Sequence, residues 1–173
     1  MPRARARDVL LISKSNKKTI ELFRAGISLE ERTGYDLDAL VSKATVDRIE
    51  LSLQHHRAAQ AATKGTNRSF RSATSRAYYS MYHALRATAF FAHTGDDHEK
   101  HSELPAGIPN DFPGRANWEN DLKNARYERN RADYDPYPKN DRAFEPIATQ
   151  LIQKAEALLP VVRSYLKSKG CLL

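Results

Sequence analysis

The chain has 173 residues, 40% of them hydrophobic and 28% charged, enough for one packed domain and too apolar for a fully disordered chain. Its 28 Lys and Arg outnumber 21 Asp and Glu, and the resulting net charge of +7 suits a polyanionic partner. One cysteine, Cys171, excludes a disulfide framework and a cysteine zinc site, and reads as an incidental tail residue in a reducing compartment.

Residues 1–35 read as a basic N-terminal extension carrying Arg3, Arg5, Arg7, Lys14, Lys17 and Lys18. The apolar run Val9-Leu10-Leu11-Ile12 is too brief for a signal peptide, and no run approaches the ~20 residues of a membrane span. The expectation is a cytoplasmic protein with no membrane partner. A short amphipathic piece over residues 17–23 is expected to break at Gly26 and again over residues 30–34.

A first long helix is predicted from Asp36, whose carboxylate can cap the opening turn, to about residue 62. Leu37, Leu40, Val41, Ala44, Ile49, Leu51 and Leu53 follow at roughly helical spacing, and Lys64-Gly65-Thr66-Asn67 supplies the stop. His55 and His56 are adjacent, so on a helix they point ~100° apart and cannot together chelate one ion. No metal and no cofactor is expected.

A second helix is predicted over residues 69–92. Ala77, Met81, Ala84, Thr88 and Ala92 recur at three and four residues and form a small-residue face for close helix packing. The other side presents Tyr79, Tyr82, His83 and Arg86. Two readings stand for that stripe: a half-buried aromatic ridge with satisfied hydroxyls, or a surface that stacks on and pairs with a ligand. Residues 93–117, with Gly95, Pro105, Gly107, Pro109, Pro113 and Gly114, read as a loop in which His93, His98 and His101 are solvated.

A third helix is predicted to open at Asn117 and to end where Pro136 and Pro138 forbid continuation. A fourth runs from about Asp141 through Ile147, Leu151, Ile152, Ala155, Leu158 and Leu159, with a kink expected at Pro160. The sum is an all-α chain: an antiparallel four-helix bundle over residues 36–168 and a tail over residues 169–173.

The third helix carries the most informative constellation. Leu122, Arg126, Arg129, Asn130 and Asp133 share one face, and Tyr127, Arg131 and Tyr134 an adjoining one. Arginine forks match phosphate oxygens in pairs, which suits an RNA backbone. Glu128, Asp133 and Asp135 offer the opposite outcome, a structural ion network.

Two blocks resemble the HEPN-domain proteins, in particular a small prokaryotic group. Ser75-Arg76-Ala77-Tyr78-Tyr79-Ser80-Met81-Tyr82-His83-Ala84 is similar to that group's second-helix motif, and Arg126-Tyr127-Glu128-Arg129-Asn130-Arg131-Ala132-Asp133-Tyr134-Asp135 to its closing motif. The resemblance covers residues 36–168 and implies a HEPN-type four-helix bundle that dimerises, with a composite polar cleft at the two-fold. It further implies action on RNA, as a metal-independent ribonuclease of a toxin–antitoxin or antiphage system. The alternative it allows is a non-catalytic RNA- or nucleotide-binding module, or the partner of a nucleotidyltransferase-type antitoxin.

In the family an arginine steadies the scissile phosphate and a histidine, some five to seven residues on, assists proton transfer. Here the corresponding positions after Arg126 and Arg129 hold no histidine. The catalytic candidates implied are therefore Arg126, Arg129, Asp133, Tyr134 and, across the bundle or the dimer, His83. A carboxylate and a phenol are poorer bases than an imidazole at neutral pH. The RNA-binding candidates are Arg126, Arg129, Arg131, Tyr79, Tyr82 and Arg86.

Overall fold

The computed structural model describes residues 5–95, 98 and 100–173, and every regular element among them is a helix. The chain divides into two compact units, residues 1–40 and 41–173. No helix among the described residues is long and apolar enough to cross a membrane.

In the first unit, α1 spans Ala6–Ser13 and α2 spans Lys17–Thr33. Arg3, part of the expected basic arm, lies outside the described residues. The Asn16 side chain caps α2 by accepting from the Thr19 N–H at 3.0 Å. Gly26 does not interrupt the helix as the sequence suggested. One internal glycine costs only about 1 kcal/mol, and the turns on either side carry the helix through it. The break falls at Gly34, whose φ of 71° is the left-handed geometry a helix C-terminus uses.

Helix α3 spans Leu37–Ala62, and the Asp36 carboxylate accepts from the Ala39 N–H at 2.7 Å, the expected cap. Helix α4 spans Phe70–Ala92, with Ser69 accepting from the Ser72 N–H. A single turn, α5 (Leu104–Gly107), stands within the predicted loop. Helix α6 (Arg115–Tyr134) begins two residues before Asn117. Its cap position is Gly114, at φ 69°, where a residue with a Cβ would be strained. A 3-10 turn at Asp141–Phe144 leads into α7 (Glu145–Ser168).

Helix α4 is the hub of the second unit and packs along both α6 and α7. Its buried face alternates small and large: Ala73, Ala77, Ala84 and Ala87 let neighbouring backbones approach, while Met81 and Leu85 fill the gaps between them. Thr88 is buried as expected, but Ala92, at the end of the helix, is exposed. From α3, Ser52 donates to the Ser80 carbonyl at 2.6 Å, so a polar contact survives in the packed interior because it is satisfied. From α7, Leu151, Leu158, Val162 and Leu166 close the core, each such side chain contributing about 1.5–3 kcal/mol when fully buried.

Pro160 lies inside α7, which is helical on both sides of it. The lost backbone hydrogen bond, worth ~3 kcal/mol in an exposed helix, is offset by the burial of Leu158 and Leu159 before it and Val162, Tyr165 and Leu166 after it. Cys171 is not an incidental tail residue. It packs into the core, and its N–H donates to the Leu166 carbonyl.

Candidate functional site

The chemistry-bearing side chains gather where α4 faces α6 and α3. An open polar cleft of about 580 Å³ lies there, lined among others by His55, Ser75, Arg76, Tyr79, His83 and Asp133. Helical spacing explains the gathering. Ser75, Tyr79 and His83 recur every fourth residue along α4 and so stack on one side of it.

Arg129 is the knot of the site. Its side chain is 15% exposed. It donates to the hydroxyl of Tyr79, to Tyr134 Oη at 3.3 Å and to Asn130 Oδ1 at 3.0 Å, while its Nε lies 2.9 Å from Asp133 Oδ2. The guanidinium also sits 5.1 Å from the ring centre of Tyr79, 5.3 Å from that of Tyr134 and 6.0 Å from that of Tyr78. Asp133 accepts a further hydrogen bond from Ser75 Oγ at 3.2 Å. Arg129, Asp133, Tyr134 and Tyr79, four of the sequence candidates, are thus one network.

Arg126, one turn earlier, is half-buried and has no hydrogen bond or ion pair among the described residues. Its positive charge is nonetheless close enough to act on Tyr78 and His101. Arg131 stands apart from the cluster: it pairs with Glu128 at 2.7 Å and lies over Phe144. Two of the three carboxylates the sequence offered as an ion network are therefore paired, as Arg129–Asp133 and Arg131–Glu128.

The α4 stripe is more buried than an exposed ligand ridge, with Tyr82 at 3% exposure. Arg86 lies 5.9 Å from the Tyr82 ring centre. His83 stacks on His55, centroids 5.2 Å apart and 5° from parallel, and packs edge-on to Tyr82 at 5.1 Å. Burial, with the nearby charges of His55, Arg86, Arg48 and His101, pushes His83 down to about 4. His55, held down chiefly by burial and then by Arg76, stacks on Tyr79 at 5.4 Å and lies 3.4 Å from Arg76. Both imidazoles are neutral at pH 7.

Beyond the sequence candidates the site includes Ser75, Tyr78, His55 and His101. His55 was set aside as a metal ligand, and nothing local marks it as a stacking partner of α4. His101, expected in solvent, is half-buried instead: its Nδ1 is hydrogen-bonded to Tyr78 Oη at 2.5 Å, and its ring stacks on Tyr82 with centroids 4.2 Å apart. Among the described residues no group of three or more His, Cys, Asp or Glu side chains is arranged to hold a metal ion.

No family model, no curated protein and no solved structure matches this chain.

Proposed function

We propose that this chain is a HEPN-type protein that acts on RNA, cutting it without a metal by attack of a ribose 2′-hydroxyl on the adjacent phosphate. The observation that carries the reading is Arg126. A half-buried guanidinium with no internal partner among the described residues, set beside an aromatic and imidazole cluster, is a fork waiting for an anion. An imidazole nearby, His101, offers proton transfer, and the tyrosine rings offer faces on which unpaired bases stack. The 2′-hydroxyl supplies the nucleophile, so the chemistry asks only for charge stabilisation and a base.

In this reading residues 36–168 form the four-helix bundle, from α3, α4, α6 and α7, and residues 1–35 are a basic extension that adds electrostatic attraction for the strand. The partners are RNA and a second copy of the chain, in a cytoplasmic toxin–antitoxin or antiphage setting. A second reading is favoured by Arg129, whose two terminal nitrogens donate to Tyr79, Asn130 and Tyr134 and whose charge is matched by Asp133. A guanidinium so engaged is a structural fastener, and the chain would then bind RNA or a nucleotide, or a nucleotidyltransferase partner, without cutting.

The test is incubation of the purified protein with total RNA in excess EDTA, wild type beside Arg126→Ala. Fragments ending in cyclic phosphate, from the wild type alone, are the expected result. Intact RNA that is still retarded on a native gel would select the second reading.

A further inference from the structure

We propose that His101, delivered from the loop after α4 to the aromatic face that α4 presents toward α6, is the proton-transferring residue of this site, with Tyr78 as the residue that positions its ring. The inference rests on the ribonuclease reading above and names the group that reading lacks. The third helix provides arginines but no histidine after them. The fold supplies an imidazole from elsewhere in the chain.

Three geometric observations converge on His101. Its Nδ1 is held by Tyr78 Oη at 2.5 Å, while Nε2 has no hydrogen-bond partner among the described residues. Its ring is fixed by stacking on Tyr82, with centroids 4.2 Å apart and planes 22° from parallel, and lies edge-on to Tyr79 at 6.0 Å. Tyr79 is the same residue whose hydroxyl accepts from Arg129, and the Arg129 guanidinium lies 6.0 Å from the Tyr78 ring centre. One ring nitrogen is thus anchored and the other open, beside the arginines of α6. That is the arrangement in which a second hydrogen bond sets the tautomer of a working histidine.

His83, the imidazole the sequence put forward, is placed less well for this task. It is sandwiched into the His55 stack and packed against Tyr82, with its proton affinity far below neutrality. The groups facing His101 are Tyr78, Tyr79, Tyr82 and Arg86 of α4 and Arg126 and Arg129 of α6, with His83 near enough to exchange charge effects. Burial first, and then the arginines, hold His101 below its ordinary value, so the ring is neutral at pH 7. Burial raises the Tyr78 phenol well above its usual range, so it keeps its proton throughout.

In the step proposed, Nδ1–H of His101 donates to Tyr78 Oη and the Nε2 lone pair takes the proton of the ribose 2′-hydroxyl. The 2′-oxygen forms a bond to phosphorus, the P–O5′ bond breaks, and the 5′-oxygen takes a proton from water. The imidazolium then returns its proton to water. The products are a 2′,3′-cyclic phosphate and a 5′-hydroxyl, with no oxidant, metal or cofactor consumed. Arg126 faces the phosphate oxygens as charge builds on them.

The experiment compares wild type, His101→Gln, His101→Ala and Tyr78→Phe on a labelled single-stranded RNA oligonucleotide in excess EDTA, measuring binding and cleavage separately. His101→Gln should bind within about threefold of wild type and cleave at least ~10²-fold more slowly, the usual contribution of a general base. Free imidazole should restore cleavage to His101→Ala. His101→Gln cutting within about threefold of wild type would overturn the proposal and leave the ribonuclease reading standing. Wild type that binds but does not cut would end that reading, and the proposal with it. If His101→Gln fails to fold, the wild-type pH profile decides. A rate that climbs with pH to a plateau, with its midpoint below 6.5 and displaced in Tyr78→Phe, supports the role, and a flat profile from pH 4 to 7 overturns it.

Discussion

Asp141 caps the start of the helix that carries Arg71, and Arg71 in turn closes the end of α6. The Asp141 carboxylate accepts from the N–H groups of Phe70 and Arg71, at 2.7 and 3.0 Å, and so caps the N-terminus of α4 from 70 residues away. The Arg71 guanidinium, at that same N-terminus, donates to the carbonyls of Arg131 and Ala132 in the last turn of α6 and to those of Asp135 and Pro138 beyond it. It also lies 4.4 Å from the ring centre of Phe144. A carboxylate at a helix start and a guanidinium at a helix end both match the helix dipole. Arg71 thus ties the start of α4 to the end of α6, the two helices that carry Tyr79 and Arg129.

This pair gives the first expectation. Arg71→Ala removes charge-assisted bonds to four carbonyls and should lower stability by roughly 2–4 kcal/mol, and Asp141→Ala, a lost cap, by roughly 1–2 kcal/mol. Urea denaturation followed by circular dichroism measures both. A midpoint unchanged in Arg71→Ala would show that the clamp carries no stability.

The two arginines of the site should separate in the same measurement. Arg126→Ala removes a side chain with no internal partner among the described residues and should shift stability by no more than about 0.5 kcal/mol, while weakening RNA retention. Arg129→Ala dissolves a half-buried network and should cost roughly 1.5–3 kcal/mol. Equal losses from the two substitutions would contradict this division of roles between Arg126 and Arg129.

Acid should act through the buried histidines. His83 is held near 4 in the folded chain, against 6.5 when exposed, so between those values the unfolded chain binds more protons. Its contribution is complete above pH 6.5 and is lost as the pH falls toward 4. His55, His56 and His101 are shifted in the same direction and add to the slope. His83→Asn should flatten the stability profile in that window. A profile as steep as wild type would remove His83 from the explanation.

The loop that delivers His101 depends on one close approach. A Cβ at Gly107 would run into the His98 ring, and the Gly107 carbonyl is hydrogen-bonded to His93 Nε2 at 2.9 Å. Gly107→Ala should therefore displace the loop and lower the melting temperature by several degrees, while Gly65→Ala, with open space around it but φ at 77°, reports backbone strain alone. A Gly107→Ala protein as stable as wild type would show that the loop tolerates the displacement.

What the sequence reveals here is what short-range physics determines. Asp36 and Ser69 cap helices because a capping side chain reaches only two or three residues along the chain, and the alanine period of α4 reports its buried face directly. The arginine face of α6 was visible for the same reason, though not that Arg129 would be consumed internally while Arg126 stays open. The rest lies in contacts between distant residues. Arg71 meets carbonyls 60 to 67 positions away, and His101 reaches Tyr78 across 23 residues through a loop whose composition gives no sign of it. Cys171 looked like the tail because core membership leaves no local pattern in so short a segment.

The most direct measurement uses two oligonucleotides of one sequence, one all-deoxyribose and one with a single ribonucleotide, each incubated with the purified protein in excess EDTA. Binding of both strands is expected, with cleavage confined to the position after the ribonucleotide and leaving a 2′,3′-cyclic phosphate. Cleavage of the all-deoxyribose strand, or of neither strand despite binding, would contradict a cleft that works through the 2′-hydroxyl.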